Sequence, residues 1–435
     1  MANDTSSPPT PQSSMPTEDQ WRFEVITSPC EWAEAYCPGG YHPVHLGDTF
    51  KNDRYRVIRK LGDGSFSTVW LARDTQNGTY VALKILVADQ SEAGTELQIL
   101  RHITTVAPAQ AGQYITQLLD EFEHKGPNGT HKCLIFEPMG PSVNSMVEEL
   151  PQFNPRRRDM IVRYPPNMAR AILKQSIQAL ELIHANGIAH GDFQPGNMLF
   201  CLSDIHKQPE DSLRQENDAQ GMSTSPLQRL DGKTDKWAPR YLCISQPLTD
   251  FTPYADGLKI KLSDMGGAYF FGNPPEKFVT PVGLRAPELI LTGDVNEKLD
   301  IWSFGCILFE LITGRPLFCI PGLDGRDDNH LLALTAAIGP LPDELFKLWT
   351  TSSLYFTPKR ELFNCQIGGI GTDGKPLMLK QFTMEELFDQ AAPDIDEEEA
   401  VEIKQLIRRI LTYDPVNRPT ATEILSDPWF QKIDV

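Results

Sequence analysis

The chain has 435 residues, of which 40% are hydrophobic, which is enough for two or three ordinary domains or for one large two-lobed enzyme. Its formal net charge of −18 argues against general nucleic-acid binding and fits a basic protein substrate. The sequence has no apolar run of about 18 residues and no signal-peptide core near its start, and its eight cysteines form no C-x-x-C pair. We therefore expect a soluble, intracellular protein with reduced thiols.

The N-terminal 50 residues divide into two parts by composition. Residues 1–20 are rich in Ser, Thr and Pro and poor in large apolar residues, which predicts a disordered tail. Aromatic residues then recur from Trp21 to Phe50, around the turn Cys37–Gly40. We interpret residues 21–50 as an ordered extension that packs on the domain after it.

A glycine-rich hairpin is predicted next. The strand Tyr55–Leu61 precedes the sequence Gly62-Asp63-Gly64-Ser65-Phe66-Ser67, and a second strand runs through Val69. The backbone N–H groups of such a loop can approach phosphates closely because glycine has no Cβ. Ser67 stands where a third glycine is usual, so the alternative for this loop alone is an ordinary β-hairpin.

One lysine, Lys84, lies in the apolar strand Val81–Leu86. Burying a lysine is costly unless the charge is paired. A helical segment follows with Glu92 and Glu96, and Glu96 is the better partner because its neighbours are apolar. The paired ammonium would bind the α- and β-phosphates of a nucleotide. The alternative is an edge-strand lysine whose charge reaches solvent.

A turn-like segment, Pro138-Met139-Gly140, follows the apolar strand Leu134–Glu137. We interpret it as a connector between two lobes. The Glu137 carbonyl and the Met139 N–H would contact an adenine ring. Pro138 has no N–H, but it lies between them, where no donor is needed.

The candidate catalytic loop follows a predicted helix over 167–186 that ends at Gly187. The sequence His190-Gly191-Asp192-Phe193-Gln194-Pro195-Gly196-Asn197 places a carboxylate and a carboxamide five positions apart. Asp192 could accept a proton from an attacking hydroxyl, and the Asn197 oxygen could hold a metal ion on the phosphates. This spacing also recurs by chance, so the interpretation depends on the partner motifs.

A second metal ligand is predicted beyond an insertion. Residues 201–257 are polar and without periodicity, so we expect a partly disordered insertion with a short ordered piece around Trp237–Ile244. A strand over 258–262 then leads to Asp264, which would bridge phosphate oxygens through Mg²⁺. Further on, Glu288 of an Ala-Pro-Glu sequence and Arg418 could form a buried ion pair.

In this order, these motifs resemble the eukaryotic protein kinase fold over about residues 55–430. The sequences Tyr36–Val44, Arg59–Gly62 and Phe66–Trp70 are similar to those of the SR-protein kinases (SRPK family), which carry a spacer where residues 201–257 lie. The resemblance implies an α+β, two-lobed fold. A small antiparallel β N-lobe would occupy 51–140, and a larger α-helical C-lobe would occupy 141–435.

The resemblance also implies an activity. This is Mg²⁺-dependent transfer of the ATP γ-phosphate to serine in basic, Arg/Ser-rich proteins such as splicing factors. The enzyme would be a monomer of the cytoplasm and nucleus, with no direct nucleic-acid or membrane partner. The implied catalytic residues are Lys84, Glu96, Asp192, Gln194 and Asn197; the implied nucleotide-binding residues are Leu61, Gly62, Gly64, Ser67, Val69, Ala82, Lys84, Glu137 and Met139; the implied metal ligands are Asn197 and Asp264.

Several positions depart from the family pattern. Gly191 replaces the arginine before the catalytic aspartate, so we expect activity without activation-loop phosphorylation. Gln194 replaces a lysine that contacts the γ-phosphate, and a neutral amide cannot neutralise developing charge. Pro281 replaces a threonine that bonds to that lysine, with Thr280 one place away, and Val282 replaces the SRPK arginine of the substrate loop.

These departures leave three alternatives to a serine kinase. The chain could be a nucleotide-binding pseudokinase that acts as a scaffold, or a tyrosine kinase, because Pro281 is typical of that class. It could also be a small-molecule phosphotransferase, because the loop around Asp192 also resembles those of aminoglycoside and choline phosphotransferases. We favour an active protein kinase because the lysine, the general base and both metal ligands are all retained.

Overall fold

The computed structural model describes residues 20–91, 94–153, 160–216, 224–254, 257–319, 326–370 and 374–434. The predicted tail up to residue 19, Glu92, and residues 217–223 and 255–256 of the predicted insertion lie outside this part of the chain. The chain divides into two compact units. The first unit is built from the described parts of 1–101, 116–141 and 200–253, and the second from those of 102–115, 142–199 and 254–435.

The secondary structure follows the order β, then mostly α, that the sequence predicts. The strands are β1 (Thr49–Phe50), β2 (Tyr55–Gly64), β3 (Ser67–Asp74), β4 (Thr79–Leu86), β5 (Leu118–Gly126), β6 (Gly129–Phe136), β7 (Ile188–Ala189), β8 (Met198–Phe200), β9 (Thr224–Pro226), β10 (Tyr241–Cys243), β11 (Ile260–Leu262), β12 (Tyr269–Phe270), β13 (Gln366–Ile370) and β14 (Pro376–Met378). The helices are α1 (Thr95–Val106), α2 (Pro108–Tyr114), α3 (Val143–Glu149), α4 (Pro166–Ala185), α5 (Pro287–Leu291), α6 (Lys298–Thr313), α7 (Arg326–Ala337), α8 (Asp343–Leu348), α9 (Met384–Ala391), α10 (Glu397–Ile410), α11 (Ala421–Leu425) and α12 (Pro428–Gln431).

The first unit contains an antiparallel sheet in the order β1-β2-β3-β4-β6-β5. Successive side chains of a strand point to opposite faces, so neighbours such as Trp70 and Leu71 enter different apolar clusters. Trp70 packs with Val57 and other strand residues. Leu71 packs with Ile58 and with three residues of the predicted insertion, namely Ile205, Leu213 and Leu248.

The described part of the insertion contains two short strands and buried side chains. Strands β9 and β10 pair with each other, and Trp237 is only 4% exposed. By compactness, the described residues of 200–253 belong to the first unit, whereas the sequence analysis assigned 201–257 to the helical lobe. The domain boundaries at 50 and 140 stay predictions.

The second unit is mainly helical. Helix α6 has an apolar sequence and is buried on nearly all sides, so it forms the centre of this unit. Helix α4 is amphipathic and buries residues such as Ile172, Leu180 and Ile183. The predicted combination of an antiparallel β-rich unit and a larger helical unit is confirmed. Among the described residues, no helix combines the length and the apolar character needed to cross a membrane.

Candidate active site

The glycine-rich sequence forms the hairpin between β2 and β3. Gly62 lies opposite Val69, and Gly64 lies opposite Ser67. A Cβ atom built on either glycine would meet no atom within 4 Å. The packing of the protein therefore does not require glycine at these positions. Close approach of a ligand to the backbone would require it.

Lys84 and Glu96 form an ion pair in the first unit. The Lys84 Nζ lies 2.8 Å from the Glu96 Oε1, and the two side chains are 12% and 9% exposed. Lys84 occupies the middle of the sheet, with Val69 and Leu134 as its neighbours on the adjacent strands. Glu96 comes from the first turn of α1. The structure thus brings together the two residues that the sequence analysis paired.

The four other predicted nucleotide contacts lie on the same unit. Ala82 and Met139 are buried, at 7% and 6% exposure. Leu61 packs partly against the apolar cluster of Ile58. The Glu137 N–H donates to the Gln117 carbonyl at 3.1 Å, and the Glu137 carboxylate accepts from the Gln117 N–H at 2.8 Å. The contacts of these residues with a nucleotide stay predictions.

The catalytic loop of the second unit is anchored by one carboxylate, that of Asp300. The backbone N–H groups of His190 and Gly191 donate to its two oxygens at 2.7 and 2.9 Å, and the His184 Nε2 lies 3.0 Å from it. The side chain of Asp300 is 3% exposed. Hydrogen bonds to an ionised group are stronger than neutral ones, so Asp300 fixes the entry to the loop. Asp300 was not among the site residues predicted from the sequence; its local signal is a carboxylate in the first turn of a mostly apolar helix.

Asp192 is oriented by two neutral side-chain donors. The Gln194 Nε2 donates to its Oδ1 at 2.7 Å, and the Asn197 Nδ2 donates to its Oδ2 at 2.9 Å. Burial raises the pKa of the Asp192 carboxyl, and the negative charge of Asp264 acts in the same direction. The hydrogen bonds from Gln194 and Asn197 and the nearby His190 oppose that rise. The result is an oriented carboxylate that pairs with no lysine or arginine among the described residues.

The two predicted metal ligands are linked through the backbone. The Asn197 carbonyl accepts hydrogen bonds from the Ser263 N–H at 2.8 Å and from the Ser263 Oγ at 3.0 Å, and Asp264 follows Ser263 directly. Asp264 has a left-handed backbone with a φ of 56°, which is rare for a residue other than glycine and frequent at functional sites.

The chemistry of these two side chains suits a hard cation. The Nδ2 of Asn197 is committed to Asp192, which directs its amide oxygen away from that carboxylate. Amide and carboxylate oxygens are the ligands that Mg²⁺ prefers, and phosphate oxygens usually complete its shell. In the described part of the chain, no cluster of three or more His, Cys, Asp or Glu side chains could hold a metal without such help.

Gly191 has a structural reason to replace the family's arginine. Its φ is +73°, and a Cβ atom there would lie 2.3 Å from the carbonyl oxygen of Gly267. The buried Thr280 hydroxyl donates to the Gly191 carbonyl at 2.6 Å. Thr280 therefore contacts the backbone of the catalytic loop rather than the Asp192 carboxylate, and any larger residue at 191 would displace the loop.

Glu288 and Arg418 form the buried ion pair that the sequence analysis expected. The Arg418 Nη2 donates to the Glu288 Oε2 at 2.7 Å, and the Arg418 Nη1 donates to the other oxygen. The Arg418 side chain is completely buried, and its guanidinium lies 4.8 Å from the centre of the Trp302 ring. The pair joins the segment after the substrate loop to the C-terminal part of the second unit.

Comparison with known proteins agrees with this geometry. The protein kinase domain model matches residues 55–207 and 252–430. A serine/threonine protein kinase of Aspergillus fumigatus is 29% identical over 416 residues, covering 94% of this chain and 93% of that protein. The serine/threonine-protein kinase SRPK of Physarum polycephalum is 29% identical over 435 residues, with the same coverages, and the protein kinase dsk1 of Schizosaccharomyces pombe is 25% identical over 491 residues, covering 94% and 86%.

A solved structure supports the fold independently. The crystal structure of a kinase domain matches 90% of this chain and 98% of its own, with a TM-score of 0.62 and 24% sequence identity. At that identity the match shows the fold alone. The family model covers well over half of the chain, with a gap at 208–251. The chain therefore belongs to the protein kinase domain family and, as its sequence predicted, is similar over almost its whole length to SRPK-type kinases.

Proposed function

We propose that this protein is a serine/threonine protein kinase that uses Mg²⁺ and ATP and acts on serine in basic, Arg/Ser-rich proteins. The observation that carries the proposal is the geometry of Asp192. One of its oxygens accepts from Gln194 and the other from Asn197, and Asp264 is tied to the same loop through Ser263. Retention of the base and of both metal ligands supports phosphotransfer rather than a scaffold role.

Each residue has a definite task in the proposed reaction. In the first unit, the Lys84 ammonium, held by Glu96, would bind the α- and β-phosphates. In the second unit, Asn197 and Asp264 would hold Mg²⁺, which when bound supplies positive charge to the phosphates. Asp192 would accept the proton of the substrate hydroxyl, and its raised pKa makes it a stronger base than an exposed aspartate.

The substrate class rests on relatives and on charge. Relatives of nearly full coverage are named serine/threonine kinases, and one is named SRPK. The net charge of −18 favours a basic partner. We also propose that the enzyme is a monomer of the cytoplasm and nucleus, with no nucleic acid or membrane as its direct partner.

The test is transfer of labelled γ-phosphate from Mg-ATP to an Arg/Ser-repeat peptide. Two matched peptides, with tyrosine in place of serine or lysine in place of arginine, measure the hydroxyl and the basic-residue preferences. We expect transfer to the Arg/Ser peptide, and the Asp192→Asn variant should be slower by about 100- to 10,000-fold because the general base is lost.

Three outcomes would contradict this proposal. A folded protein that binds Mg-ATP but transfers no phosphate would be a pseudokinase. Preferred transfer to the tyrosine peptide would overturn the serine assignment. Equal transfer to the arginine and lysine peptides would overturn the Arg/Ser preference while leaving the kinase activity in place.

A further inference from the structure

In the first unit, two segments that the kinase family model does not match pack against each other. The match starts at residue 55 and omits 208–251. Residues 21–48 and 224–246 nevertheless contact each other along an antiparallel bridge between Phe23 and Arg229. The Glu24 N–H donates to the Gln228 carbonyl at 2.9 Å, and the Leu230 N–H donates to the Arg22 carbonyl at 2.9 Å. We call these two segments the extension–insertion module.

The two segments of the module share an apolar cluster, which also includes Val87 just after β4, and the module is attached to the sheet. Phe23, Tyr36 and Tyr41 of the extension pack with Ala238 and Leu242 of the insertion. At the turn between β5 and β6, the buried Asn128 Nδ2 donates to the carbonyls of Tyr41 and Trp237 at 2.6 and 2.7 Å. One side chain of the kinase sheet thus bonds both segments at once, so the module is fixed in place rather than loosely attached.

The module makes direct hydrogen bonds to the glycine-rich hairpin. The Tyr41 hydroxyl, from the extension, donates to the carbonyl oxygen of Gly64 at 2.7 Å. The Ser245 hydroxyl, from the insertion, donates to the Asp63 Oδ1 at 2.9 Å. The two bonds hold neighbouring residues of the loop from two different segments.

A buried cation reinforces the second of these contacts. Lys60 lies on β2, and its Nζ is 2.8 Å from the Asp63 Oδ1 and bonds the carboxylate of Glu31 in the extension. The side chains of Lys60 and Glu31 are 0% and 1% exposed. Asp63 is the only carboxylate within Gly62–Ser67, where it would repel phosphates, and here its charge is bound to lysine.

We propose that Tyr41 and Ser245 are positioning residues. Through Gly64 and Asp63, the extension–insertion module would hold the hairpin in one conformation before nucleotide binds, and so increase its affinity for Mg-ATP. A loop that is ordered in advance loses less conformational entropy on binding. This inference rests on the proposed use of ATP, and it adds residues from both segments outside the family match.

The experiment compares three single-atom deletions in the full-length protein. Tyr41→Phe and Ser245→Ala each remove one hydroxyl that bonds the hairpin. Tyr241→Phe is the matched control, because the Tyr241 hydroxyl accepts from the Leu46 N–H at 3.1 Å and so joins the same two segments without touching the hairpin. The measurements are the Kd for a fluorescent ATP analogue with Mg²⁺, the KM for ATP and for the peptide, kcat, and the thermal unfolding midpoint.

Tyr41→Phe and Ser245→Ala should each raise the Kd and the KM for ATP by about 2- to 10-fold, the range that a lost hydrogen bond corresponds to. The KM for the peptide and kcat at saturating ATP should stay as in the wild type, as should every constant of Tyr241→Phe. An unchanged Kd in both hairpin variants would overturn the proposal. An equal rise in Tyr241→Phe would overturn it too, because general loosening would then explain the effect.

Failure of the kinase proposal gives a different result. A wild-type protein that binds Mg-ATP but transfers no phosphate contradicts the proposed function, whereas the Kd values still decide the role of Tyr41 and Ser245. A wild-type protein that binds no Mg-ATP contradicts both.

Discussion

In the first unit, the buried carboxylate of Glu31 pairs with a lysine, whereas in the second unit N–H donors hold Asp192 of the catalytic loop and Asp300 of α6. Glu31 bonds the Lys60 ammonium, and neither side chain is exposed by more than 1%. Asp192 instead accepts from two side-chain amides, and Asp300 accepts from two backbone N–H groups and contacts an imidazole.

This difference shows that the orientation of a buried carboxylate and its ionisation can be controlled by different partners. A buried cation fixes the position of a carboxylate and also keeps it charged. Amide donors fix its position but stabilise its charge less, so burial still raises the pKa of Asp192. The arrangement in the first unit suits permanent structure, and that of the second unit suits a group that exchanges a proton. The following variants test this distinction.

The largest expected effect is on stability, from Lys60→Met. Removing the ammonium leaves Glu31 buried without its cation, which should lower the free energy of unfolding by about 3–5 kcal/mol. Lys51→Met is the matched control. The Lys51 Nζ lies 2.6 Å from the Asp120 carboxylate, but the two side chains are 32% and 20% exposed. The free energy of unfolding of this variant should therefore fall by about 1 kcal/mol or less. Urea unfolding measures both. Equal losses would show that burial of the pair does not matter.

Acid should destabilise the first unit through His42. Burial, followed by the nearby His131, His124 and His45, lowers the pKa of His42 to about 3. The folded state therefore keeps His42 neutral, while the unfolded chain binds a proton below its ordinary pKa of about 6.5. The stabilisation that comes from keeping His42 neutral is complete above about pH 6.5 and is lost as the pH falls toward 3. At pH 4.5 the free energy of unfolding should be lower by roughly 3 kcal/mol for this reason.

The His42→Phe variant isolates that contribution. The His42 ring meets the Phe50 ring edge-on at 5.7 Å, so an apolar ring has an aromatic neighbour there. Free energies of unfolding at pH 7 and pH 4.5 should differ less in the variant than in the wild type. The same pH dependence in both proteins would mean that other groups cause the acid sensitivity.

Asp300→Asn should have a smaller effect on stability but a clear effect on activity. An amide oxygen replaces one carboxylate oxygen, while an NH₂ group faces the N–H of either His190 or Gly191. The free energy of unfolding should fall by about 1–3 kcal/mol. Because the loop would shift Asp192, kcat should fall.

The control for this variant is Asp414→Asn. Asp414 caps an exposed turn by accepting from the Val416 N–H at 3.0 Å, and asparagine caps equally well. The control should leave kcat and stability unchanged. An unchanged kcat in Asp300→Asn would show that the anchor is not needed for catalysis.

The sequence predicted the features of the site that depend on residues close together in the chain or on a family motif. The hairpin, the Lys84–Glu96 pair and the alignment of Asp192 with Asn197 each follow from residue type and spacing within a short segment or from a family motif. The structure places these residues as those patterns indicate. The burial of Arg418 against Glu288 was also predictable, because a late arginine is part of the same motif order.

Contacts between distant segments were not predictable in this way. No local pattern shows that Phe23 pairs with Arg229, since the insertion has no periodicity and its strands have three residues each. The glycine at 191 looked like a lost arginine, but its positive φ and the closeness of Gly267 depend on two loops meeting. Such features arise from tertiary packing, which one-dimensional patterns do not record.

The smallest and most specific effect is expected from Gln194→Lys. This substitution gives Asp192 a lysine partner, the kind of partner that Glu31 has in the first unit. The Gln194 Nε2 lies 2.7 Å from the Asp192 Oδ1, so an ammonium there would stabilise the ionised carboxylate and lower the pKa of Asp192. Catalysis needs ionised Asp192, so kcat falls as the pH drops through that pKa. In a plot of kcat against pH, the acidic limb should therefore move to lower pH.

Gln194→Met gives the opposite sign and completes the test. It removes the hydrogen bond that lowers the pKa of Asp192, so burial prevails and the acidic limb should move to higher pH. At neutral pH, kcat of Gln194→Lys should change by no more than about 10-fold, because a charge-assisted hydrogen bond is only about twice as strong as a neutral one. Profiles that coincide in all three proteins would show that Asp192 is not the group that titrates. In that case, the neutral donors would serve orientation alone.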